Sequence, residues 1–315
     1  MISFTRQTTF FATLLLVVTI TLTLLRQHYN PFAAELAESE FLPQLWQQIL
    51  SALLLFVSAI LVNRVTVKAK ILKMFGTLPV SLFGFTAVGI LLSPNILTAS
   101  ILALLTAVAM IFLVRSMHSM HDKEFIFTGA LLLGVLPIVY PPSAFYILAL
   151  LIIVFIAPLS VRQIIIAGTG YILPLAATSY VNWYMGNKFT DVAINIWNNI
   201  ITPTAKITLE PLPFITLLLA IILTLIFICG VMFVSNSRYA MLTASRKTLQ
   251  LNIWMLIFGC AALFAIPGCG ITIIPSVAVS LTIISAFALD RMEAKWANCF
   301  YMAIAALVII HLLLY

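Results

Sequence analysis

Charge is what this chain has least of. Asp, Glu, Lys and Arg make up 8% of its 315 residues, against 63% hydrophobic residues and a mean hydropathy of +1.18. That balance lies far outside the range of soluble domains, so the chain reads as an integral membrane protein with no room for a soluble domain.

Cysteine and histidine are scarce too. Cys229, Cys260, Cys269 and Cys299 have no C-x-x-C spacing, which excludes a zinc ribbon or a thioredoxin-type pair and leaves them as small apolar residues. In "RSMHSMHDKE", His118, His121 and Asp122 have ligand-like spacing, but His28 and His311 fall toward the opposite face. The four histidines therefore cannot join in one iron site, and a haem or carotenoid-oxygenase-like protein is excluded; no metal site or resident cofactor is assigned. A Walker lysine is also missing: "GTGYILP" at 168 has the glycines of a phosphate loop but lies within an apolar run.

What is present is a succession of apolar runs. A bilayer core of roughly 30 Å takes about 20 apolar residues per helix and leaves no backbone group unsatisfied, so the fold expected is all-α, a polytopic transmembrane helical bundle. About eleven spans of workable length can be drawn, at 10–25, 45–62, 75–92, 96–114, 125–140, 144–159, 164–184, 214–234, 251–267, 271–289 and 297–314. The whole chain, 1–315, is one integral membrane domain, with an acidic periplasmic loop at 26–44 and a second periplasmic loop at 186–213.

Lys and Arg set the orientation, because cytoplasmic loops hold the excess of them. With the N-terminus cytoplasmic and the C-terminus periplasmic, thirteen of the 16 fall inside, and only Arg26, Lys188 and Lys206 fall outside. The net charge of +7 is then a basic cytoplasmic rim meeting anionic lipid, with no case for nucleic acid. The first run, with a weak basic start at Arg6, suits an uncleaved helix better than a signal peptide.

No span carries Asp, Glu, Lys or Arg in its interior. Proton relays, voltage sensors and many ion-coupled transporters place such groups at mid-membrane, so a pump or proton-coupled carrier is disfavoured. A carrier for a lipid or small molecule would need a polar path through residues such as Thr178, Ser179, Asn182 and Asn252. It would also need broken helices at the prolines expected within spans, Pro79, Pro137, Pro158, Pro174 and Pro275.

The outer turns are short and proline-bearing: "LLSPNIL" at 91, "VYPPSAF" at 139 and "AIPGCGI" at 265. Two outer segments are longer. "NPFAAELAESEF" holds Glu35, Glu38 and Glu40. In residues 186–213, Phe189, Val192, Ala193, Ile196, Trp197, Ile200 and Ile201 follow the spacing of one helical face, with Thr190, Asp191, Asn195, Asn198 and Asn199 on the other. That pattern predicts an amphipathic helix lying on the outer leaflet, with Trp197 at headgroup level.

Glu35, Glu38, Glu40, Asp191 and Glu210 thus share the outer face with an amphipathic helix, where chemistry on a lipid-linked substrate would be placed. A carboxylate there can serve as a general base on an acceptor hydroxyl or, with a divalent cation, hold a phosphate leaving group. Glu35, Glu38, Glu40 and Asp191 are the candidate catalytic residues, and Trp197, Asn198, Lys188 and Arg26 the candidate substrate contacts. The plainer alternative is a solvated connector.

The stretches "FLPQLWQQILSALLLFVSAILVNRV" at 41, "SPNILTASILALLTAVAMIFLVRSMHSMHDKEFIFTGALLLGVLPIVYPPSAFYILALLIIVFI" at 93 and "IPSVAVSLTIISAFALDRMEAKW" at 274 resemble an uncharacterised family of polytopic inner-membrane proteins of Bacteroidota. The resemblance implies a bacterial inner membrane and a role in the envelope. "FLVRSMHSMHDKEFIFTGALLLGVLPIVYPP" is more distantly similar to membrane glycosyltransferases of the C-type fold, which use polyprenyl-phosphate sugars; these begin with one span and an acidic periplasmic loop. Here that loop is shorter and carries Glu only, and Asn95 stands where an acidic residue would be expected. The resemblance implies a glycosyltransferase-like protein acting on a polyprenyl-linked substrate or, with its catalytic apparatus altered, a noncatalytic subunit or scaffold beside a membrane protein partner.

Overall fold

The computed structural model describes residues 12–21, 44–72, 76–88, 96–118, 123–156, 159–202, 214–236 and 241–314. Glu35, Glu38, Glu40, Arg26, Glu210, Asn95, Pro158, His121 and Asp122 lie outside the described residues. Among those described, the regular structure is helical and no strand occurs.

Twelve helices follow in order among the described residues. They are α1 (Ala12–Thr21), α2 (Gln44–Lys68), α3 (Leu78–Phe83, continuing into a π turn at Gly84–Val88), α4 (Ile96–His118) and α5 (Lys123–Val139). A 3-10 turn at Pro141–Tyr146 leads into α6 (Ile147–Ile156), then α7 (Val161–Tyr184), α8 (Asp191–Ile201) and α9 (Phe214–Asn236). After α10 (Thr243–Ala265), a 3-10 turn at Ile271–Ile273 opens α11 (Ile274–Arg291), and α12 (Ala294–Leu314) closes the chain.

Seven of these, α2, α4, α7, α9, α10, α11 and α12, are long and apolar enough to cross a bilayer, and four shorter apolar helices accompany them. Several overrun the apolar windows at a charged end: α10 takes in Arg246 and Lys247, and α7 takes in Arg162. A long aliphatic stem lets such a cation stay at headgroup level while its helix continues.

Small side chains decide which helix sits at the centre. Ser276, Ala278, Ser280, Thr282, Ser285, Ala286 and Ala288 let α11 approach its neighbours closely, and 78% of its membrane window is buried against only 22% for α7. It packs on α2, α3, α4, α9, α10 and α12. Two hydroxyl contacts pin it: Thr282 Oγ1 lies 2.9 Å from Thr86 Oγ1 on the π turn, and the Tyr146 hydroxyl donates to Ser276 Oγ at 2.8 Å.

The α5–α7 crossing is closer still, because glycine faces backbone there. A Cβ on Gly134 would run into the Tyr171 carbonyl, and one on Gly170 would lie 2.8 Å from the Phe127 carbonyl oxygen. On α7, Ile172, Leu173 and Tyr180 remain exposed, as a lipid-facing helix requires.

Two of the prolines expected within spans instead start helices. Pro79 and Pro275 occupy the first turns of α3 and α11, where an N–H has no intrahelical partner to lose. Pro137 and Pro174 do lie inside α5 and α7. Three of the four polar residues proposed for a carrier path donate to nearby backbone carbonyls. Thr178 donates to the carbonyls of Pro174 and Leu175, Asn252 to that of Thr248, and Asn182 to that of Lys188.

Candidate functional site

Two turns distant in sequence meet at one hydroxyl. Tyr140 follows α5 in extended conformation, and its hydroxyl accepts a hydrogen bond from the Gly270 N–H at 2.6 Å while donating to the Gly268 carbonyl at 3.3 Å. The turn around Tyr140 is closed by Ser143, whose N–H and hydroxyl both donate to the Tyr140 carbonyl, at 2.9 and 2.7 Å. Tyr171 of α7 braces the same turn by donating to the Ala144 carbonyl at 3.2 Å.

The second hairpin in turn receives α8. The Gly268 N–H donates to the Ile200 carbonyl at 3.1 Å, satisfying an acceptor that the helix C-terminus leaves open. A Cβ on Gly268 would fall on the Asn199 carbonyl, so glycine is what permits the approach. Cys269 beside it is buried, and burial pushes its thiol up to about 12. That thiol has no nucleophilic character near neutral pH.

Asp191, a candidate catalytic residue, occupies the first turn of α8, where the helix dipole favours a carboxylate. Its Oδ2 accepts the Lys188 N–H at 3.0 Å, and its own N–H donates to the Lys188 carbonyl at 3.1 Å. Lys188 is exposed, and its carbonyl also accepts from Asn182 at 3.3 Å. Both residues therefore build the turn that launches α8 from α7.

Helix α8 divides its apolar residues between two faces. Val192, Ile196 and Ile200, spaced by four, are half-buried on the side that packs on α7 and the Pro141–Tyr146 turn. Ile194, Trp197 and Ile201, spaced by three and four, are exposed, Trp197 to 63%. Asn195, Asn198 and Asn199 are exposed as well, and Asn199 bonds back to the Asn195 carbonyl. The sequence pattern placed Trp197 and Ile201 on one stripe with the docked residues and overlooked Ile194. The signal was available in its spacing to Trp197 and Ile201.

Exposed aromatic residues follow one another at the end of α7 and in the turn after it. Tyr180 and Trp183 near the end of α7 have ring centroids 5.8 Å apart, and Trp183, Tyr184 and Phe189 are all exposed. Amphipathic rings gather where hydrocarbon meets headgroups.

Among the described residues no three His, Cys, Asp or Glu side chains gather as a cation site would need. What this end of the described bundle offers is a braced helix with an apolar stripe beside amides and a backbone-bonded carboxylate. Set against known protein families, curated proteins and solved structures, the chain finds no match.

Proposed function

We propose that this is a multi-pass protein of a bacterial inner membrane that holds a polyprenyl-linked substrate against its periplasmic face, in the manner of the glycosyltransferase-like envelope proteins it resembles. The observation that carries this reading is the exposed Ile194, Trp197 and Ile201 stripe on a helix whose opposite side is anchored. An anchored helix keeps its second apolar face available at headgroup depth, where a lipid-linked phosphate would meet it.

Eleven spans with the N-terminus cytoplasmic and the C-terminus periplasmic fit this placement. The seven long apolar helices and four shorter ones fall where the eleven apolar runs do. At 1.5 Å per residue in the α-helix and 2.0 Å in the 3-10 turn, Pro141–Ile156 reaches about 27 Å and α5 about 26 Å, close to the thickness of the hydrocarbon core. Impermeant thiol labelling of Asn187→Cys in intact spheroplasts, with Lys295→Cys labelled only after lysis, is the expected pattern; the reverse would invert the molecule.

The functional test is photo-crosslinking with a diazirine-bearing polyprenyl phosphate in nanodiscs. Crosslinks should concentrate on the α8 peptide and fall in Trp197→Asn. Labelling spread evenly over the lipid-facing helices would refute substrate capture there.

In this reading Glu35, Glu38 and Glu40 carry any transfer chemistry, with a divalent cation where a phosphate leaves. Replacing Glu38 or Glu40 by Gln should then abolish an envelope glycan phenotype at unchanged protein level. A second reading, a noncatalytic subunit of an envelope complex, is favoured by the bond between Asp191 and the Lys188 N–H, which gives that carboxylate a structural task. It predicts full complementation by the Glu→Gln variants and a membrane protein that co-purifies.

A further inference from the structure

At the other ends of α2 and α4 the two helices lie side by side and finish together, and between them is a cleft of about 360 Å³. Its walls are Val65, Ile111 and Val114, and its rim carries Lys68 and Arg115. Val65 and Val114 are buried, whereas both cations are exposed at the mouth. Arg64 stands one turn before Lys68 on α2, and the charges of both Arg64 and Arg115 act on the Lys68 ammonium. Among the described residues that line the cleft there is no carboxylate. The guanidinium of Arg115 is held 4.1 Å over the Phe125 ring, which fixes it in place at the rim.

Three cations gathered with no carboxylate among the described lining residues repel one another, and only part of that is offset by the negative ends of the helix dipoles. A bound anion would relieve the repulsion. We propose that this cleft binds the phosphate headgroup of an anionic lipid, with Lys68 and Arg115 on the phosphate and the start of the acyl chains along Val65, Ile111 and Val114. Its volume lies within the usual range of small-ligand sites, roughly 300–1,000 Å³. Its depth also fits, since Lys68 ends one apolar span and Arg115 lies two residues from the end of another. Basic pockets between membrane helices at this level take lipid phosphates. The proposal rests on the chain spanning a membrane and is independent of substrate capture by α8.

The test is native mass spectrometry of the full chain released from nanodiscs of phosphatidylglycerol mixed with phosphatidylcholine. Retention of phosphatidylglycerol in preference to phosphatidylcholine is expected, with a loss of about fivefold in Lys68→Gln or Arg115→Gln, the worth of one cation near a lipid surface. Arg162→Gln and Lys295→Gln, exposed cations elsewhere, should retain it as the parent does. If Arg115→Gln fails to fold without its stack on Phe125, Lys68→Gln decides alone, with Lys68→Arg restoring retention. Inorganic phosphate at millimolar concentration should displace none of the lipid. Displacement by phosphate would make the site one for a free anion, and equal retention of both lipids, or of phosphatidylglycerol by the Lys68→Gln variant, would overturn the proposal.

Discussion

The Tyr140 hydroxyl and the Gly270 N–H, 130 residues apart in the chain, meet at 2.6 Å. This contact ties two turns together, and the neighbouring bond from the Gly268 N–H to the Ile200 carbonyl ties α8 to the second of them.

Tyr140→Phe should therefore leave the Gly270 N–H without its acceptor and destabilise this pair of turns by about 1–3 kcal/mol, read as a lower Tm in detergent. Gly268→Ala should act further out, driving a methyl onto the Asn199 carbonyl and releasing α8. Limited proteolysis near residues 185–202 should become faster in Gly268→Ala. Unchanged cleavage there would separate the hairpin from the helix.

The α5–α7 crossing predicts opposite outcomes for two glycines on neighbouring helices. Gly134→Ala places a methyl against the Tyr171 backbone and should cost about 1–3 kcal/mol through overpacking. Gly168→Ala meets nothing within 4 Å and, with the better helix propensity of alanine, should be neutral or stabilising by up to about 1 kcal/mol. Thermal unfolding of the two variants side by side is the check, and equal losses would contradict the crossing.

Cys269 predicts a pH dependence of definite sign. Burial raises its thiol from an ordinary 9.0 to about 12, so the folded chain keeps a proton that the unfolded chain releases. The contribution is fully present below pH 9 and is lost as pH rises toward 12. Cys269→Ala should flatten that alkaline loss, and in the native protein Cys269 should resist an impermeant maleimide at pH 8. Rapid labelling at that pH would show the hairpin to be open.

Much of this architecture could be read from residue order alone, because a membrane span is a property of its own composition. The apolar runs, the basic turns and the helix over Asp191–Ile201 are local features with a local signature. Contacts between turns distant in sequence have none. Nothing near Tyr140 indicates that its hydroxyl will serve Gly268 and Gly270, and Gly268 looks like any turn glycine until the Asn199 carbonyl is beside it. Pro79 and Pro275 read as breaks within spans because an apolar run continues through them, while their place in the first helical turn depends on where each helix starts. The split of α8 into a docked and an exposed face was hidden for the same reason: spacing marks an apolar arc, and only packing divides it.

The most direct test of substrate capture at the outer face is spin-label accessibility along α8, with and without polyprenyl phosphate, in a chain whose four native cysteines are replaced by alanine. Labels at Ile194→Cys, Trp197→Cys and Ile201→Cys should sit at shallow lipid depth and lose mobility when polyprenyl phosphate is added. Labels at Asn195→Cys and Asn198→Cys should stay in water. Uniform water exposure of all five positions, unchanged by polyprenyl phosphate, would contradict the account.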